Sequence, residues 1–245
     1  MTIKAVFFDL HNTLARFDPP PVEVQLAVCR ELGIPVSPEG IAKGYALADD
    51  FMAQEEAAHP LIQRNREERR SFFGQYERLV LQGAGVELSP EKALDVFRRV
   101  QRRPLDLALF EDVRPALEAL LASKKTLGLI TNINLGLAGD DRGIQEITAR
   151  LGLDRYLRFA VTSQEIGASK PHPPIFLAAL QRAGVQPHEA LHVGDQYRSD
   201  IVGALGVGIG AVLLDRASMH ADFQECPRIT SLSELPALVT QLDKG

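Results

Sequence analysis

The stretch IKAVFFDLHNTL, residues 3–14, decides how this chain is read. Residues 3–8 are rich in β-branched and aromatic side chains, and the run ends on Asp9 and the polar His11, Asn12 and Thr13. It therefore reads as a strand that delivers a carboxylate to a loop. Three comparable runs come much later: TLGLIT ends at Thr131 and Asn132, ALHVG ends at Asp195, and IGAVLL ends at Asp215. Each is apolar on both faces, as buried parallel strands are. FAVTS, from Phe159, is a shorter candidate. Helical patterns lie between these runs, including VRPALEALLASKK before the second and PPIFLAALQRAG, halted at Gly184, before the third. Strands alternating with helices predict a parallel α/β sheet.

Residues 22–103 break the alternation with helical periodicity and no convincing strand. Ser37-Pro38-Glu39 and Ser89-Pro90-Glu91 each set a capping hydroxyl before a proline at the first helical position. Pro19-Pro20-Pro21 gives a stiff lead-in, and Pro104 marks the approach to the return crossing. The expectation is a helical insertion of about 80 residues between the first strand and the rest of the sheet. No repeat of 20 to 50 residues is visible.

Composition narrows the function. At 245 residues, 45% hydrophobic and 24% charged, the chain can bury a core and is not of the disordered class. No run approaches the ~20 apolar residues of a membrane span, and the N-terminus lacks a secretory pattern, so a soluble, cytoplasmic protein is expected. Cys29 and Cys226 stand far apart without C-x-x-C spacing and read as small hydrophobes rather than a disulfide or zinc site. A net charge of −5 disfavours nucleic acid as the main partner. A small substrate or a protein partner fits better, and the sequence leaves the oligomeric state open.

Ligands of open parallel sheets bind beyond the carboxyl ends of the strands. Asp9, Thr131 and Asp195 end three of the runs, and Lys170 sits in a Ser-Lys-Pro-His-Pro turn after FAVTS. Two carboxylates, a hydroxyl and an ammonium suit phosphoryl transfer: a carboxylate can attack, carboxylates can hold Mg²⁺, and Lys and Thr can bind phosphoryl oxygens.

With these motifs in view the chain resembles the haloacid dehalogenase superfamily, in particular its phosphatase-like members with a helical cap. FFDLHNTL resembles the D-x-D-x-T motif, LITN the hydrophobic-Ser/Thr motif, SKPHPPIF the Lys motif and HVGDQYRSD the G-D-x4-D motif, in the family's order. The resemblance implies a Rossmann-like α/β core of residues 1–16 and 104–245 with an inserted all-helical cap of residues 17–103. It implies hydrolysis of a small phosphorylated metabolite with Mg²⁺ as cofactor. Asp9 would be the nucleophile that forms an aspartyl-phosphate. The metal ligands would be the carboxylates of Asp9 and Asp195 and the main-chain carbonyl of His11. Thr131 and Asn132 would bind the phosphoryl group, Lys170 would neutralise charge on nucleophile and phosphate, and Asp200 would orient Lys170 or a metal-bound water.

One position departs from the family pattern: His11 stands where the phosphatases carry a second Asp. The carbonyl survives the change, whereas acid-base work falls to an imidazole of ordinary pKa ~6.5. A nearby Mg²⁺ would push that value down, leaving a usable base and a poor acid. Two alternatives stay open. The dehalogenase branch also lacks the second Asp and transfers an alkyl group to its nucleophile without metal, although Gly194-Asp195 is intact here. A catalytically silent member that binds a phosphorylated ligand or a protein is the other. Phosphonate hydrolysis would require a cap lysine, and nothing marks Lys43 or Lys92 as special.

Other tempting residues receive plainer readings. His172 and His192 neighbour the motifs but read as packing or turn histidines and stay outside the site. Phe72, Phe73 and Tyr76 read as helix core, with a substrate role left unassigned. Residues 64–103 carry ten Lys or Arg against six Asp or Glu. That excess could attract an anion, but helix-end and mixed-charge pairing explain it more simply.

Overall fold

A computed structural model describes residues 2–103, 106–132, 143–218, 220 and 222–244. Its centre is a six-stranded parallel sheet in the order β5-β4-β1-β6-β7-β8. The strands are β1 (Ala5–Phe8), β4 (Thr126–Thr131), β5 (Phe159–Thr162), β6 (Ala190–Gly194), β7 (Gly210–Leu214) and β8 (Arg228–Ile229). β2 (Ala15–Asp18) and β3 (Asp106–Leu109) make a separate two-stranded sheet that apolar periodicity does not reveal.

Residues 5–8 and 190–194 are buried without interruption, which is why these segments read as continuous apolar runs rather than alternating ones. The connecting helices include α5 (Val113–Ala122), α6 (Ile144–Leu151), α7 (Ser163–Ile166) and α8 (Pro173–Ala183), followed by α9 (Gly203–Gly206) and α10 (Leu235–Leu242). Gly184 ends α8 in the left-handed conformation, as its position after the periodic run predicts. One core cluster packs Phe7, Ile130 and Val161 with Ile175, Phe176 and Ala179 of α8. Gly128 exists for a packing reason: a β-carbon there would lie 2.5 Å from the ring of Phe159, which meets Phe7 edge-on.

The order of strands matters for function. From β1 the sheet grows in one direction through β4 and β5 and in the other through β6, β7 and β8. β1 is thus the switch point, where the connections diverge and leave a crevice at the carboxyl edge. Phe8 is in register with Leu129 on one side and Val193 on the other. Asp9, Thr131 and Asp195 follow one or two residues beyond that common line.

The chain divides into two compact units, and the sheet with its helices is one of them, residues 2–16, 108–132 and 143–244. The other, from residue 17 to 107, is built on α1 (Pro21–Glu31), α2 (Pro38–Ala58), α3 (Arg66–Gly83) and α4 (Pro90–Gln101). Ser37 and Ser89 cap α2 and α4 as their spacing predicts, accepting from the N–H of Gly40 and Lys92. All four helices feed one core that contains Val28, Cys29, Ile41, Val80 and Val96. α2 and α3 approach until their backbones touch: a β-carbon on Gly44 would lie 1.9 Å from the carbonyl oxygen of Val80, and one on Gly83 2.2 Å from Gly44 N. Phe72 stacks on Phe51, and Phe73 on Phe97, so these rings are helix core. Among the described residues no helix is long and apolar enough to cross a membrane.

Glu77 is the unusual member of this unit. It is 2% exposed, accepts from Gln25 Nε2 at 2.6 Å, and has burial as the largest influence on its carboxyl, which rises to about 8. The sign follows from proton binding. Between the unfolded value of 4.5 and the folded value of about 8 the native state holds the proton more tightly, so stability is full below that window and falls as pH rises through it. The ceiling on the loss by pH 7 is about 3 kcal/mol, at 1.36 kcal/mol per unit between the unfolded value of 4.5 and pH 7. Glu77→Gln keeps the acceptor for Gln25 and removes the ionisation. Thermal melts should show Glu77→Gln matching the wild type near pH 4.5 and exceeding it increasingly up to pH 8; a constant difference across that range would contradict the account.

Candidate active site

Asp9 extends β1 by one residue, its N–H donating to the Val193 carbonyl at 3.0 Å, and the residue is 7% exposed. The chain then turns tightly: the N–H groups of Leu14 and Ala15 both return to Leu10 O, and Asn12 takes the left-handed conformation at φ 57°. Asparagine is among the few residues that tolerate this at modest cost. His11, half-buried, lies in this turn.

Lys170 reaches the same place from the loop before α8. It is 2% exposed, and its Nζ donates to Asp9 Oδ1 and Asp200 Oδ1, each at 2.6 Å. Burial alone would lower its pKa, but Asp200 and then Asp9 outweigh it and hold the ammonium above its ordinary range. Asp200 shows the reverse balance: burial would raise its carboxyl, and Lys170 followed by His192 holds it well below the usual range. Burial, offset in part by Lys170, leaves Asp9 raised. Asp195, half-buried at the end of β6, is raised well above a normal carboxyl by burial, then by Asp9 and Asp200.

Thr131 ends β4 fully buried, and its Oγ1 has no hydrogen-bond partner among the described residues. Asn132 does something its position does not announce. Its Oδ1 accepts from Lys170 N–H at 2.7 Å while its Nδ2 donates to Lys170 O at 3.0 Å, so the whole amide is engaged with the lysine backbone. Asp200 is delivered by a π-helical segment, Tyr197–Val202, a form that recurs at functional sites. Its second oxygen accepts from Gln196 N–H at 3.0 Å. The structure thus gathers Asp9, Lys170 and Asp200 by direct contact, and Asn132 joins through the lysine main chain. Thr131 and Asp195 stand at the ends of the strands flanking Asp9.

Residues 3–208 match the family model for haloacid dehalogenase-like hydrolases, most of the chain's length. This chain belongs to that family. A glyceraldehyde 3-phosphate phosphatase of Methanopyrus kandleri is 32% identical over 87% of this chain and 84% of its own. Haloacid dehalogenase-like hydrolase domain-containing protein 3 of Xenopus laevis is 39% identical over 38% of this chain and 39% of its own, so the chain spans well under half of that relative. The structure of a putative haloacid dehalogenase-like hydrolase of Bacillus subtilis, YfnB, described as bound to magnesium, superposes with a TM-score of 0.68 over 98% of this chain and all of its own, at 16% identity. That likeness concerns the fold.

Two residues of this chain escape the sequence reading. His192, read there as packing, is fully buried and places Nε2 2.9 Å from Asp200 Oδ1. Arg216, just past β7, stacks 3.9 Å over the ring of Phe110 and pairs with both oxygens of Asp112 at 2.9 and 3.0 Å. Its Nε and Nη2 donate to the carbonyls of Asn12 and Thr13, gripping the turn that follows Asp9. A cation past a strand end has no spacing that reveals such a role. Part of the basic excess of residues 64–103, by contrast, is occupied within its own unit. Arg64 bonds Glu55 and the His59 carbonyl, Arg69 the carbonyls of Leu61 and Arg64, Arg99 pairs with Asp95, and Arg103 with Glu31. Lys43 and Lys92 are exposed on α2 and α4, with no burial to activate them.

Gly194 tests this geometry. A β-carbon there would lie 2.1 Å from Asp200 Cγ, so only glycine lets the carboxylate sit against β6. Gly194→Ala should overpack the site at a cost of about 1–3 kcal/mol, lowering the melting temperature by several degrees. Gly206→Ala, with nothing within 4 Å of the added carbon, serves as the control expected to melt like the wild type.

Proposed function

We propose that the chain is a Mg²⁺-dependent hydrolase of small phosphate monoesters that works through an aspartyl-phosphate on Asp9. The observation that carries the reading is the charge balance of the site: among the described residues Asp9, Asp195 and Asp200 share it with the Lys170 ammonium, and burial with mutual repulsion leaves Asp195 strongly raised. A hard divalent cation is what such an oxygen set lacks. Asp9 and Asp195 with the main-chain carbonyl of His11 would hold it. Among the described residues no three His, Cys, Asp or Glu side chains form a metal cluster by themselves, and a bound Mg²⁺ usually keeps several waters beside one or two carboxylates. When bound, Mg²⁺ supplies neutralisation of the phosphoryl oxygens.

The chain's own residues account for the remaining steps. An Asp9 carboxylate oxygen attacks phosphorus, the ester P–O bond breaks, and the leaving oxygen takes its proton from solvent. Thr131 Oγ1, without a partner among the described residues, and Lys170 Nζ donate to phosphoryl oxygens as charge shifts. Asn132 holds the lysine backbone in place. Water then attacks the phosphorus, its proton passes to His11, and the bond to Asp9 breaks. Burial, and secondarily Lys170, lowers the His11 pKa to about 4, so the imidazole is neutral at pH 7, able to accept a proton and unable to supply one. The phosphatase relative of Methanopyrus kandleri supports a small phosphorylated metabolite as substrate.

Orthophosphate release from a panel of small esters tests the reading, with Mg²⁺ and with chelator. Wild type should turn over only with the metal, Asp9→Asn should be inactive, and His11→Ala should lower kcat by about 10²-fold or more while moving KM much less. Chelator-resistant halide release from a 2-haloacid, without phosphate release from any ester, would replace this reading with the dehalogenase one.

A further inference from the structure

β6 is buried along its whole length, and His192 is its one polar side chain. The ring sits edge-on to Phe176, 5.4 Å between centroids, and in register with Phe7 of β1 and Ala211 of β7. An aliphatic side chain would fill such a position without desolvating two ring nitrogens. Those nitrogens fare differently. Nδ1 has no hydrogen-bond partner among the described residues, a cost that packing alone gives no reason to bear. Nε2 faces Asp200 Oδ1 at 2.9 Å, and because a carboxylate oxygen only accepts, Nε2 carries the proton and donates it.

The oxygen it meets is the one that also receives Lys170 Nζ, at 2.6 Å. The other oxygen of Asp200 takes the Gln196 N–H, and Gly194 bounds the carboxyl from β6. Asp200 is therefore gripped by a main-chain donor on one oxygen and an imidazole on the other, and Lys170 is tied to the oxygen that the imidazole fixes. Lys170 meets Asp9 at the same short distance.

We infer that His192 is a positioning residue: by fixing Asp200 Oδ1 it aims the Lys170 ammonium at Asp9. It touches no reacting atom. The expected effect on rate rests on the phosphoryl-transfer reading above, whereas the effect on Lys170 does not.

The geometry separates two similar substitutions. Gln carries its amide nitrogen to about the place of the imidazole Nε2, whereas Asn ends near Nδ1, where no described residue offers a partner. His192→Gln, His192→Asn and His192→Leu are compared by two readouts. The first uses metal-free protein and follows the NMR signal of the Lys170 ammonium, which buried hydrogen bonds protect from exchange. It should persist in wild type and His192→Gln and vanish in His192→Asn and His192→Leu. The second is ester hydrolysis with Mg²⁺, where Asn and Leu should lower kcat by about 10- to 100-fold with KM nearly unchanged, and Gln should restore most of it. If Asn equals Gln in both readouts, or Leu retains the wild-type signal and kcat, His192 is a packing residue and the inference fails. Should His192→Leu not fold, the Gln and Asn pair decides, since both bring the same amide group into the strand and differ in which ring nitrogen it replaces. Should the wild type hydrolyse no ester, the phosphatase reading falls, and the ammonium signal alone still decides whether His192 holds Lys170.

Discussion

A carboxylate buried at the end of a central strand costs several kcal/mol unless a cation meets it. Here Lys170 is that cation, and much of the fold can be understood as the means of bringing it to Asp9. The two residues are 161 positions apart in sequence and 2.6 Å apart in space. Three separate devices hold the lysine: the Asn132 amide on its backbone, Asp200 on its ammonium, and the packing of α8 beyond it. Breaking such a group by removing one member leaves an unpaired buried charge, which is far costlier than never having had the pair. The site is thus also a structural keystone of the sheet's carboxyl edge, so stability and chemistry are not separable there.

Much of this was legible because the signals are local. Asp9, Thr131 and Asp195 each follow a run apolar on both faces, and such runs become neighbouring strands whose ends meet. Ser37 and Ser89 were readable for the same reason, since a cap needs only the next three residues. What could not be read depends on contacts across the sequence. A histidine within an apolar strand looks like packing until Asp200, eight residues later, is seen against it. Asn132 stands where a phosphoryl donor is expected, and nothing in LITN shows that its amide is taken by a backbone 38 residues away. Arg216 has no motif at all.

The helical unit presents the opposite balance. Its α2 and α3 meet through Gly40, Gly44 and Gly83 with no room for a methyl group, a contact that fixes the pair rigidly. Against this stands Glu77, buried beside Gln25 with no compensating cation among the described residues. A periodic pattern shows that such a residue faces inward, but not that its charge goes unanswered. Natural cores rarely keep an uncompensated acid without a loss of stability, so this unit is built with less margin than its packing suggests.

The clasp around Arg216 reaches further than the turn it holds. Asp112, its ion-pair partner, also accepts from the Ser231 hydroxyl and the Leu232 N–H, so the segment after β8 is wired to the backbone just beyond Asp9. None of the four motifs lies in that segment, and the family match ends at residue 208. A chain cut back to the motif-bearing stretch would keep every residue that names the chemistry and lose the brace that shapes the loop on which it stands. In this protein the stretch that can be recognised and the stretch that is braced are therefore different objects.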